Sequence, residues 1–200
     1  MKKNNIMIEW DDFDNLLEIG KVDSEINSKI NSVINNLKKI KDIKSIRSVI
    51  GEDLLHLAVS YKNIPFIVEL INLGFNINSG DENNNTSMHY YIHNLTRVSN
   101  YYPTSEDIEI FKLLLENGGD PNYKNKYGNS PFDEVTLAFI RGYSTYEVFT
   151  LFENVAIHKD TIKDSLDTLK SISMENVKKN SDKEEIKKSI SFLERKMEDY

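Results

Sequence analysis

Two histidines four residues apart, in His89-Tyr-Tyr-Ile-His93, are the pair in this chain best spaced to hold a metal. Side chains at i and i+4 share one face of a helix, and two imidazoles there can grip one ion. A metal site needs further context. No H-E-x-x-H motif accompanies the pair, and the absence of cysteine excludes both a thiolate site and a disulfide framework. No metal is therefore expected. Nucleophilic catalysis lacks its parts too: serines are many, but no G-x-S-x-G elbow occurs. Gly118-Gly119 is followed by Asp120, whose charge repels phosphate, so it reads as a helix stop. Asp11, Asp12 and Asp14 could pair as acid and base, but such a run is more often a solvated face or a helix start. No catalytic residue and no cofactor is assigned. The expectation is a chain that is not an enzyme, with any hidden activity confined to the irregular ends, residues 1–50 or 158–200.

The histidines make more sense as parts of a repeated element. Asp53-Leu-Leu-His56-Leu-Ala-Val59 and Thr86-Ser-Met-His89-Tyr-Tyr-Ile92 place His56 and His89 in matching surroundings, 33 positions apart. Downstream, Gly74 matches Gly118 and Asn78 matches Asn122, but these pairs lie 44 apart. The 11 extra residues must fall between His89 and Phe111. Thr96-Arg-Val-Ser-Asn-Tyr-Tyr-Pro-Thr-Ser-Glu-Asp107, with no helical period, is their obvious carrier. A third unit begins at Tyr127-Gly128-Asn-Ser-Pro131-Phe132. Around these units the chain reads as helical. Ile8, Trp10, Phe13, Leu16 and Leu17 form a short apolar pattern; Ser24 caps a second helix carrying Ile26, Ile30, Val33, Ile34, Leu37 and Ile40; a shorter segment over 42–50 supplies Ile43, Ile46 and Val49. Ile162, Leu166 and Leu169 fit a helix, and residues 178–183 read as an exposed link. Ser181-Asp-Lys-Glu184 has the capping-box pattern, ahead of a face made by Ile186, Ile190, Leu193 and Met197.

A period near 33, with a turn and two short helices per unit, resembles the ankyrin repeat, whose signature is T-P-L-H-x-A. Leu55-His56-Leu57-Ala58 keeps the L-H-x-A portion; Thr86 and His89 keep the threonine and histidine; Pro131 keeps the proline, with Asp133 in place of histidine. Val68 to Asn78 and Leu113 to Asn122 resemble the second half of the motif. The resemblance implies an all-α ankyrin-repeat solenoid of helix pairs with helical N- and C-terminal caps. The N-terminal cap spans 1–47, the repeats 48–155 with the insertion at about 96–107, and the C-terminal cap 156–200. One unit cannot bury its apolar face alone, which is why caps are needed. The resemblance also makes His56 and His89 local braces between turn and helix. It places the partner surface on the turn tips, Glu82, Asn83, Asn85, Lys126, Tyr127 and Asn129, and on the first helices at Tyr61, Tyr90 and Asn94.

Tyrosines cluster around the insertion and the turns. Tyrosine gives large contact area at low rotamer entropy and is frequent at binding surfaces. Tyr91 stands where the motif has alanine; it is expected to pack locally and to displace the first helix or redirect the loop. Tyr101 and Tyr102, beside Pro103, are expected at an interface, and deletion of 98–105 is expected to leave the fold largely intact.

The chain has 200 residues, 39 % of them hydrophobic, and a net charge of −7. That fits one soluble domain, or one domain with appendages, and argues against nucleic acid as a partner, while favouring a basic protein. No segment has the length and character of a membrane span or secretory signal, so no membrane association is expected and cytoplasm is the default compartment. The abundance of Asn, Ile and Lys suggests an AT-rich bacterial or viral genome. The resulting expectation is a non-enzymatic protein-binding module. Its most specific form is an immunity protein that neutralises a basic cognate bacterial toxin one to one. The alternative is an adaptor or effector that binds a host protein.

Overall fold

Four of the described helices begin where a short polar side chain, of Asp53, Asn63, Thr104 or Ser130, accepts a free backbone N–H of the first turn. The computed structural model describes residues 43–98, 101–143, 146–172, 174–177 and 179–200, with the single residue 35. The expected helices over 8–20 and 24–40, with Asp11, Asp12 and Asp14, fall outside these but for residue 35. Eight α-helices are described: α1 (Leu54–Ser60), α2 (Ile64–Asn72), α3 (Ser87–Thr96), α4 (Ser105–Glu116), α5 (Pro131–Ile140), α6 (Tyr146–Phe149), α7 (Lys159–Ser171) and α8 (Asn180–Glu198). No strand occurs among the described residues. The described residues are thus all-α.

The row α1, α3, α5, α7 is formed by neighbour contacts, each helix packing on the next. Helix α2 packs on α1, and α8 packs on α7 and α6. The turns leading into α1, α3 and α5 are copies of one structure. Ser48 N–H donates to Glu52 O at 2.9 Å, Asp81 N–H to Asn85 O at 3.0 Å and Asn125 N–H to Asn129 O at 2.9 Å. In each, the first side chain accepts two N–H groups of its own turn: Ser48 Oγ from Ile50 and Glu52, Asp81 Oδ1 from Asn83 and Asn85, Asn125 Oδ1 from Tyr127 and Asn129. Neighbouring turns are joined by Glu82 N–H to Ile50 O at 3.1 Å and Lys126 N–H to Asn83 O at 2.8 Å. These turns recur at the steps of 33 and 44 read from the histidines and glycines.

A second set of joints lies at the other end of the units. The Asn78 amide donates to Gly118 O at 2.7 Å and accepts from Asp120 N–H at 2.9 Å. Asn122 repeats this geometry one unit on, donating to Ala156 O at 3.0 Å and accepting from His158 N–H at 2.7 Å. Gly74 and Gly118, at φ +79° and +90°, end α2 and α4 in the left-handed conformation that glycine adopts without strain. The core runs through the whole stack and ends in a ring cluster. Phe111 meets Phe152 at 4.9 Å, Phe152 meets Phe132 at 5.1 Å, and Phe149 meets both Phe132, at 5.4 Å, and Phe192, at 5.5 Å. Burial of each ring contributes about 2 kcal/mol and ties α8 to α4 and α5.

Three expectations are corrected. Of the segment expected over 42–50, residues 43–50 are described; there only Ile43–Ser45 is helical, as a single 3-10 turn, the rest is the entry turn of the first unit, and Val49 is 94 % exposed. The irregular part of the insertion is shorter than 96–107. Thr96 closes α3, and Ser105 to Asp107 form the first turn of α4, because Thr104 caps it and Asp107 completes the capping box. Ser181 does not cap α8. The helix starts at Asn180 after Lys179, and Ser181 lies inside it with its hydroxyl on Asp182, so residues 180–183 are helix rather than link.

Candidate functional site

The two histidines are held by the same logic. His56 Nε2 lies 2.9 Å from Asn85 O and His89 Nε2 lies 3.0 Å from Asn129 O. A carbonyl only accepts, so both Nε2 atoms carry the proton. His89 Nδ1 then accepts from Thr86 N–H at 3.1 Å, whereas His56 Nδ1 lies 2.7 Å from the Asp53 carboxylate, an oxygen that can only accept, and 3.1 Å from Asp53 N. Each histidine thus ties its own helix start to the next unit's turn, which goes beyond the expected local brace. Both nitrogens of His89 are occupied, so it cannot join His93 on a metal. Among the described residues no group of three metal-ligating side chains is found. Burial pushes the His89 pKa below its ordinary 6.5. At Asp53, burial is outweighed by the bonds from His56, and the carboxyl titrates below its usual range.

The turns and the row of first helices enclose a cleft of about 340 Å³. Four residues expected on the partner surface line it: Asn85, Tyr90, Tyr127 and Asn129. Tyr90 is half-buried; its hydroxyl donates to Asp81 Oδ2 at 2.8 Å and its ring stands edge-on to His56 at 5.0 Å. Burial, then Asp81 and Glu52, drive the Tyr90 pKa far above the ordinary phenol, so it is a hydrogen-bond donor at every working pH. Asn85 is committed to structure: its amide donates to Asp81 Oδ2 and accepts from Asn125. Tyr127 is 70 % exposed and its hydroxyl reaches Asn83 Oδ1 at 3.3 Å. Glu82 and Lys126 are exposed at the tips beside it. Asn94 is half-buried on α3, and Tyr61, half-buried after α1, packs against the core.

Sequence reasoning missed the charged floor of the cleft. Glu134 is buried, and its Oε2 receives Arg141 at 3.1 Å and His93 Nδ1 at 3.4 Å. Burial raises the Glu134 pKa, but the bonds from His93 and Arg141 outweigh it and hold the carboxyl below its usual range. The available signal was the i, i+7 spacing of Glu134 and Arg141, which puts both on one side of α5.

The inserted loop forms a separate locus. Tyr91 is fully buried and its hydroxyl donates to Asp107 O at 2.7 Å. Tyr101 is half-buried rather than displayed: its hydroxyl donates to Asp107 Oδ2 at 2.5 Å and accepts from Lys62 at 2.8 Å. Tyr102, 65 % exposed, is the tyrosine this loop offers to solvent. No helix among the described residues is long and apolar enough to cross a membrane. No protein-family model matches the chain, and no curated protein matches it with significance.

Proposed function

We propose that this chain is an ankyrin-repeat protein acting as a non-enzymatic binding module, and that its partner is a basic protein held one to one. The observation that carries the reading is the recurrence of one turn at Ser48, Asp81 and Asn125, in register with the capped starts of α1, α3 and α5. That recurrence produces a continuous face of tips and first helices, where Glu82, Tyr90, Lys126 and Tyr127 are offered together. The acidic balance, −7 overall, favours a basic partner through steering and complementarity. Within this class the reading is an immunity protein that neutralises a toxin encoded beside it.

Co-expression with the neighbouring gene product tests this. The expected result is a one-to-one complex in light scattering, suppression of the neighbour's toxicity, and loss of both in a Tyr90→Ala/Tyr127→Ala double variant. Absence of both complex and suppression with the unaltered chain overturns the reading.

A further inference from the structure

Glu134 has more hydrogen-bonding capacity than the free protein uses. It is 7 % exposed, yet among the described residues Oε2 takes both of its contacts and Oε1 takes none. Among the described residues, Ser87 Oγ and Thr136 Oγ1 are the fully enclosed side-chain oxygens without a partner; Glu134 Oε1 is not one of them, and Glu134 lines the cleft. A carboxylate offers about four acceptor sites, and leaving one oxygen unmet in a partly desolvated place is costly. The matching ligand group is a donor.

The surroundings say which donor. The present neighbour is itself a guanidinium: Arg141, 43 % exposed, makes one contact from NH1 rather than a two-point fork. Tyr90 and Tyr127 add aromatic surface to the lining, and such faces attract cations, arginine above all. The side-chain amide of Asn129, also in the lining, has no partner among the described residues and can supply another acceptor. Beside Tyr90, Glu52 and Asp81 add negative charge. A planar guanidinium meets a carboxylate and an aromatic face at once, which an ammonium does less well.

We infer that this cleft receives an arginine side chain of the partner, and that Arg141 holds its place in the free protein. On docking, Arg141 swings to solvent and the incoming guanidinium takes Glu134. The inference rests on the protein-binding reading above and supplies the chemistry that its cleft recognises.

The test is a nuclear magnetic resonance titration of the isotope-labelled full chain with N-acetyl-L-arginine amide, alongside the glutamine and glutamate analogues. Saturable shifts are expected at Tyr127, Glu134 and the Asn129 side-chain amide with the arginine probe alone. Glu134→Gln should weaken the association about tenfold, and Arg141→Ala, by removing the competitor, should strengthen it about threefold. The Arg141 variant keeps the test decisive if Glu134→Gln disturbs folding. No saturable shift, preference for the glutamate probe, or weaker binding in Arg141→Ala overturns the assignment. A one-to-one complex with a neighbour alongside an unresponsive cleft sinks only this inference. Arginine binding without any protein complex sinks only the protein-binding reading.

Discussion

Ser87 carries the smallest testable consequence of the repeat. It stands at the first position of α3, where α5 has Pro131. Its hydroxyl is enclosed without a partner, and Thr86 before it is extended at φ −83°, ψ 169°, the conformation a following proline requires. Ser87→Pro should therefore raise stability by about 1 kcal/mol, seen as a higher urea midpoint; a lower midpoint would show that the Ser87 N–H matters. His89 makes a pH prediction. Its folded pKa is lowered below 6.5, so the fold favours the neutral ring. That stability is fully present above pH 6.5 and is lost as pH falls through the folded pKa. Asp53, Asp81 and Asp107, lowered from 3.8, and Glu134, lowered from 4.5, contribute stability that is lost only at more acid pH. The urea midpoint should thus fall in two steps. His89→Gln should remove the first step while leaving the second, and persistence of the first in that variant would assign it elsewhere.

Elements show where a departure from the repeat was absorbed. The position of Ala58 in α1 is taken by Tyr91 in α3, and α3 and α4 approach each other less closely than α1 and α2. The gap is filled by the Tyr91 ring and closed by Asp107, which is fully buried. Asp107 accepts from Lys62 at 2.7 Å, from Tyr101, and from Thr104 N–H at 2.8 Å. The alanine-to-tyrosine change and the insertion were both legible in the sequence, as was the expectation that Tyr91 displaces the helix or redirects the loop; the network that joins them was not, because Lys62, Tyr101 and Asp107 lie in three different segments. The geometry also alters the expectation for deleting 98–105. That deletion removes Tyr101 and Thr104, two of the groups that satisfy Asp107, so it should destabilise rather than leave the fold largely intact. Lys62→Ala isolates the effect. It strips the cation from a buried carboxylate, and a cost of about 2 kcal/mol is expected, with faster proteolytic cutting in the 97–104 loop. Unchanged cutting would mean that the loop is held without this network.

In the whole molecule, the period was readable while the joints between units were not. His56, His89, Gly74 and Gly118 mark the register because capping and left-handed positions demand particular residue types. The entry turns are opened by serine, aspartate and asparagine at 48, 81 and 125, so chemical equivalence hid behind different letters. Asn78 and Asn122 could be paired by position, but Gly118, Ala156 and His158 answer them with backbone groups, which any residue supplies. Glu134 and His93 are 41 positions apart on two helices, and no local pattern announces their meeting. The joints decide how the molecule should unfold. In the proposed repeat architecture, stability is a sum of unit terms and nearest-neighbour terms. Asn122 is the joint between the third unit and the hairpin of α7 and α8. Asn122→Ala removes two hydrogen bonds there and should cost about 2 kcal/mol. The loss should be local: hydrogen exchange should speed up over 159–198 while α1 and α2 keep their protection. Asn78→Ala breaks the equivalent joint one unit earlier, and its effect should instead centre on 105–125. Equal acceleration across the chain in both variants would show one indivisible cooperative core and sink the nearest-neighbour account.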